Sequence, residues 1–69
     1  MIVNDNVVIS DVLSFRLEPF FNITVADTGM EAVDVVKNKP RNHFDIILMD
    51  INMPMMDGFE AIANIIEYL

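Results

Sequence analysis

Three times along this chain a short run of β-branched and apolar residues gives way to a capped segment with helical spacing. That alternation restricts the fold more than any other feature. Strands separated by helical stretches, in units of roughly 20 residues, imply right-handed crossovers and a parallel sheet. The first run, Met1-Ile-Val, ends in Asn4-Asp5-Asn6, with Asn6 placed to cap a helix. The helix that follows has an apolar stripe of Ile9, Val12, Leu13 and Leu17, with Ser10, Asp11, Ser14 and Glu18 mostly outside it. Pro19 disfavours helical geometry at Glu18 and ends the helix there.

Residues 20–25 are β-branched and aromatic, a second strand. Thr28 and Glu31 have capping-box spacing, in which each side chain satisfies the other's free amide. The helix they open carries Met30, Val33 and Val36 on one side, Lys37 and Lys39 in its last turn, and Pro40 at its close. Residues 46–49 form an unbroken apolar run that reads as a strand buried on both faces. Asp57 and Glu60 repeat the cap spacing, and the last helix, to Leu69, is expected to bury Phe59, Ile62, Ala63 and Ile66.

Sixty-nine residues make at most one small domain, in which only about 60% of the unfolded surface can be buried. Domains of this size often rely on disulfides or metals, and the absence of cysteine removes disulfides and thiolate sites. A 54% hydrophobic composition is rich for so small a body and suggests surface meant for another chain or for a missing part of this one. The net charge of −7 lacks the basic patch that nucleic acid or an anionic membrane requires. There is no basic leader and no apolar run long enough to span a membrane, so a cytoplasmic protein is expected.

Asp5 and Asp50 both follow predicted strands, where ligands collect in open α/β sheets. If those strands are neighbours, about 4.8 Å apart, the carboxylates converge on one pocket. Two carboxylates without histidine or thiol partners suit a hard cation, Mg²⁺ above all, and Asn52 can add a backbone carbonyl. With a metal shielding the pair, an ionised Asp50 can attack a phosphoryl group and form an acyl phosphate. An EF-hand loop starting at Asp50 is excluded, because Pro54 and Met55 occupy the positions that need an oxygen ligand and glycine. His43 reads as a solvent-exposed loop residue, Asp27 and Asp45 as water-facing, and Met49, Met53, Met55 and Met56 as loop and core filling.

These residues resemble the receiver domain of two-component response regulators and hybrid histidine kinases, over nearly the whole chain. Asn4-Asp5-Asn6 is similar to the family's acidic pair after the first strand, and residues 27–32 to the opening of its second helix. Residues 44–58, through Asp50, Asn52, Pro54, Asp57 and Gly58, match its phosphorylation segment almost position for position. The resemblance implies a flavodoxin-like α/β fold with strand order 2-1-3 and helices on both faces. It implies Asp50 as acceptor of phosphate from a histidine kinase or histidine phosphotransfer protein, Asp5 as direct Mg²⁺ ligand, and Asn52 as a metal-binding carbonyl. Pro54 and Gly58 would shape the loop, and Asp57 would cap the third helix.

Two departures stand out. Asn4 replaces an acidic residue, which lowers the expected Mg²⁺ affinity. A whole receiver has five strands and five helices, and residues 1–69 match it only through the third helix. The fourth strand's hydroxyl residue and the fifth strand's lysine therefore have no counterpart, and slow or undetectable phosphorylation is expected. Lys37 and Lys39 end a crossover helix on the wrong side of the sheet to replace that lysine. The third strand becomes an edge, inviting self-association or another chain's strand. The alternative readings are a non-catalytic interaction element pairing through that edge, or a gene fragment without independent function.

Overall fold

The computed structural model describes residues 1–53 and 55–68, so Pro54 and the expected helical end at Leu69 lie outside the described residues. The chain runs β1 (Ile2–Val3), α1 (Val7–Leu17), β2 (Val25–Ala26), α2 (Gly29–Lys37), β3 (Leu48–Met49), α3 (Gly58–Ile66). The three strands are parallel in the order β2-β1-β3. Two right-handed crossovers that step in opposite directions from one strand to the next place α1 on one face and α2 on the other. α3 packs against α2.

The strands are short, only two residues each. Of residues 20–25, expected as a strand, Phe20 and Phe21 are a turn and a bend, because both their amides donate to the Leu17 carbonyl, and pairing with β1 begins only where the Thr24 carbonyl accepts the Ile2 N–H. The strand begins only at Val25.

The core lies between the sheet and the α2–α3 layer. Val3, Ala26, Ala32, Val36, Met53 and Ile65 are buried there, with Met49 packed against them. Val3 pairs with Met49 and Ile2 with Leu48, so Leu48 points to the α1 face instead. Coverage there is thin: Leu48 is 41% and Ile46 54% exposed, against the expectation of a strand buried on both faces.

Each helix corrects its sequence reading. α1 turns Ser10, Leu13, Ser14 and Leu17 inward, and Ile9 and Val12 are exposed. The helix is apolar on most sides, so periodicity alone does not orient it; serines allow it to sit close to the sheet. Ser10 Oγ donates to the Asn4 carbonyl at 3.4 Å. Among the described residues Ser14 Oγ is buried without a partner. Ser14→Ala is expected to stabilise the fold by about 1 kcal/mol, read as a higher urea midpoint, since it removes an unmet desolvation cost and improves helix propensity.

In α2 the buried residues are Gly29, Ala32 and Val36, while Met30 is exposed. In α3 they are Gly58, Ala61 and Ile65, one position off the expected set, and Phe59, Ile62, Ala63 and Ile66 face outward. The cause is close approach. A Cβ on Gly29 would lie 3.2 Å from Ala61 Cβ and 2.7 Å from the Met56 carbonyl oxygen. Small residues therefore occupy the seam, and the bulky ones are displaced to the outside.

Met55 adopts φ 67° and is 92% exposed. A side chain in this left-handed region costs roughly 1–2 kcal/mol, offset in part by the entropy glycine would lose. Met55→Gly is therefore expected to raise stability by about 0.5–1 kcal/mol in urea unfolding.

Candidate functional site

Of the residues singled out in the sequence, Asp5 and Asp50 follow strands at the carboxyl edge of the sheet, and Asn52 lies two residues past Asp50. Asp50 is anchored first: its N–H donates to the Val3 carbonyl at 2.9 Å, the last rung between β1 and β3. Its Oδ1 accepts the Asn52 N–H at 3.1 Å, a local turn that fixes the carboxylate's direction. Asp50 is half-buried, while Asp5 and Asn52 are exposed.

Behind Asp50 the chain doubles back onto itself. The Gly58 N–H donates to the Ile51 carbonyl at 2.9 Å, which ties the start of α3 to the residue after Asp50. A Cβ on Gly58 would lie 2.4 Å from the Asp50 carbonyl oxygen and 2.5 Å from Ile51 Cα. Only glycine permits this approach. Asp57 caps the helix by accepting the Glu60 N–H at 2.9 Å.

Register sets the other side of the pocket. Val3 pairs with Met49, so the next residues, Asn4 and Asp50, face each other across the strand ends, and Asp5 follows one residue further. Asn4 Oδ1 accepts the Asn6 N–H at 2.9 Å, and Asn6 Oδ1 accepts from Val8 and Ile9 at 3.0 and 3.2 Å. Two linked asparagine turns thus hold the loop that presents Asp5. The structural part played by Asn4 is the feature that sequence reasoning missed; Asn at position i with a turn two residues on was the available signal. The capping box that opens α2 also differs in detail. Thr28 accepts the Glu31 N–H at 3.0 Å, but Glu31 reaches the Asp27 amide, at 3.2 Å.

The cations lie at one edge of the sheet, alongside Glu18, Asp45 and Glu67, and the other edge carries acidic groups alone. Asp5, Asp27, Asp50 and Asp57 all lie in strand-to-helix connections at the carboxyl edge, with Glu31 and Glu60 in the first turns of α2 and α3. Arg16 and Lys37 occupy last turns of helices, and Lys39 and Arg41 lie in the connection back to β3, all toward the amino edge. The resulting potential at the carboxyl edge is negative and favours a cation. Among the described residues no three His, Cys, Asp or Glu side chains are grouped for a metal. An all-oxygen set of one or two carboxylates suits a Mg²⁺ ion that keeps most of its water.

Known proteins place this geometry. The family model for the response regulator receiver domain matches residues 1–68. A probable histidine kinase 3 of Oryza sativa subsp. japonica is 41% identical over 66 residues, covering 94% of this chain and 6% of that protein. Protein-glutamate methylesterase/protein-glutamine glutaminase 1 of Syntrophus aciditrophicus is 41% identical over 71 residues, covering 97% of this chain and 19% of that protein. The crystal structure of a CheY-like response regulator receiver domain protein from Methanospirillum hungatei superposes with a TM-score of 0.83 at 32% identity, covering 97% of this chain and 52% of that one.

This chain belongs to the response regulator receiver domain family. Its fold is the CheY-like, flavodoxin-like α/β fold. It spans about half of the matched solved structure and a small part of the curated relatives. Phosphoryl acceptance in two-component signalling, from histidine kinases or phosphotransfer proteins and generally with Mg²⁺, is the work of the family. Among the described residues no helix is long and apolar enough to cross a membrane.

Proposed function

We propose that this chain is a phosphorelay receiver in which Asp50 takes a phosphoryl group from the phosphohistidine of a kinase or phosphotransfer protein. One Asp50 carboxylate oxygen forms the new P–O bond as the P–N bond to the donor imidazole breaks, and the freed nitrogen keeps its electron pair or takes a proton from solvent. Asp5 would ligate Mg²⁺ directly, with Asp50 and the Asn52 carbonyl completing the protein's share. When bound, the ion would neutralise charge on the transferring phosphoryl oxygens. Asn4 contributes an amide where a third negative charge would tighten the metal, so affinity is weaker than a three-acid site would give.

The observation that carries this reading is the fixing of Asp50 from both sides, by the rung to Val3 and by the turn closed at Gly58. All four Lys and Arg side chains of residues 1–69 sit in segments at the opposite edge, so slow transfer is the expected result for these 69 residues tested alone. Intact mass after prolonged incubation with a small acyl phosphate and Mg²⁺ tests it. One added phosphoryl group, lost when Mg²⁺ is chelated, supports the reading; a chain that never labels overturns it.

A second reading rests on β3. Among the described residues it has a sheet neighbour on one side only, and Ile46 just before it and Leu48 within it are exposed. Such an edge accepts a strand from another chain, with Asp50 then serving no chemistry.

A further inference from the structure

The outer face of α1 carries an apolar stripe that the fold leaves uncovered. Val8, Val12 and Phe15 are 70%, 52% and 81% exposed, and they recur at spacings of four and three residues. They stand opposite the inward set Ser10, Leu13, Ser14 and Leu17, so the stripe points directly away from the sheet. A helix apolar on both sides is one that is covered on both sides.

Two charges decide what fits there. Asp11 and Arg16 flank the stripe on opposite sides and, with Val12 and Phe15, line one shallow groove. Among the described residues neither side chain has an ion-pair or hydrogen-bond partner. In heptad terms Val8, Val12 and Phe15 are d, a and d, while Asp11 is g and Arg16 is e. When two such helices lie parallel about a two-fold axis, each g flank meets the partner's e flank. Asp11 of one copy then faces Arg16 of the other, twice over. An antiparallel pair would instead set like flanks together, Asp11 against acidic residues and Arg16 against Arg16.

We infer that the outer face of α1 is a self-association surface, on which two copies of this chain pack their α1 helices in parallel. Val12 and Phe15 form its centre, and the two Asp11–Arg16 pairs set its direction. Each copy carries a net charge of −7, so association is opposed at long range. Reversing Arg16, one of only four cations, leaves both flanks acidic. The interface is small, and the dimer is concentration-dependent rather than obligate.

Sedimentation equilibrium of the 69-residue chain over a wide concentration range tests the assignment, with far-UV circular dichroism to confirm that each variant is folded. A dimer is expected that Phe15→Glu abolishes and Arg16→Asp weakens about tenfold. The Asp11→Arg/Arg16→Asp double variant, which rebuilds the pair with reversed sign, is expected to recover most of that loss. A wild-type chain monomeric throughout overturns the inference and leaves the stripe to another protein's helix. A dimer indifferent to Arg16→Asp, as β3 pairing would give, or one that the double variant does not restore, overturns it equally.

Discussion

The Asp50→Asn variant is expected to take up no phosphoryl group under conditions that label the unaltered chain. The amide keeps the shape of the carboxylate and an oxygen able to accept the Asn52 N–H, as Oδ1 does at 3.1 Å. The backbone rung from Asp50 to Val3 is untouched. What is lost is the nucleophile, since a neutral amide does not attack phosphorus, and also one charge from the metal's site. The rate should fall below detection, by at least about a hundredfold. Asp57→Asn is the informative control. Asp57 caps α3 and Asn caps as well, so labelling should persist there with the fold intact. Retained labelling in Asp50→Asn, or its loss in Asp57→Asn alone, would assign the chemistry to the wrong carboxylate.

Gly58→Ala is expected to cost about 3 kcal/mol or more, a large part of the stability of a domain this small. The added methyl would meet the Asp50 carbonyl oxygen at 2.4 Å and Ile51 Cα at 2.5 Å, and both are backbone atoms that cannot rotate aside. Relief requires the first turn of α3 to move away from the strand end. That movement breaks the Gly58–Ile51 hydrogen bond and opens the Gly29–Ala61 seam. Urea unfolding followed by circular dichroism should show a strongly lowered midpoint or a chain already unfolded. An unchanged midpoint would mean that the loop adapts and that Gly58 is not holding Asp50.

Much of this arrangement was readable from the residues. The three caps, Asn6, Thr28 and Asp57, announce the helix starts because each short side chain meets an amide two or three residues on. Asp50 and Asp5 were placed correctly at the carboxyl edge, since a parallel sheet orders its strand ends in that way. Facing was not readable. In α1 the apolar residues surround the helix, so no stripe singles out the inner side, and two serines won that place by their size. In α3 the choice went to Gly58, Ala61 and Ile65 for the same reason. Periodicity reports which residues avoid water; it does not report how near two backbones must come. The extended look of residues 20–25 was likewise overridden locally, by two amides converging on Leu17.

The brevity of the strands has a consequence for signalling. With two residues per strand the β1–β3 ladder is short, running from the Met1–Ile46 bond to the bond from Asp50 to Val3, which is its terminal rung. Terminal rungs fray first. Any event that loosens the end of the ladder therefore changes the bearing of the Asp50 carboxylate, so the order of that last rung and the aim of the side chain beyond it stand or fall together.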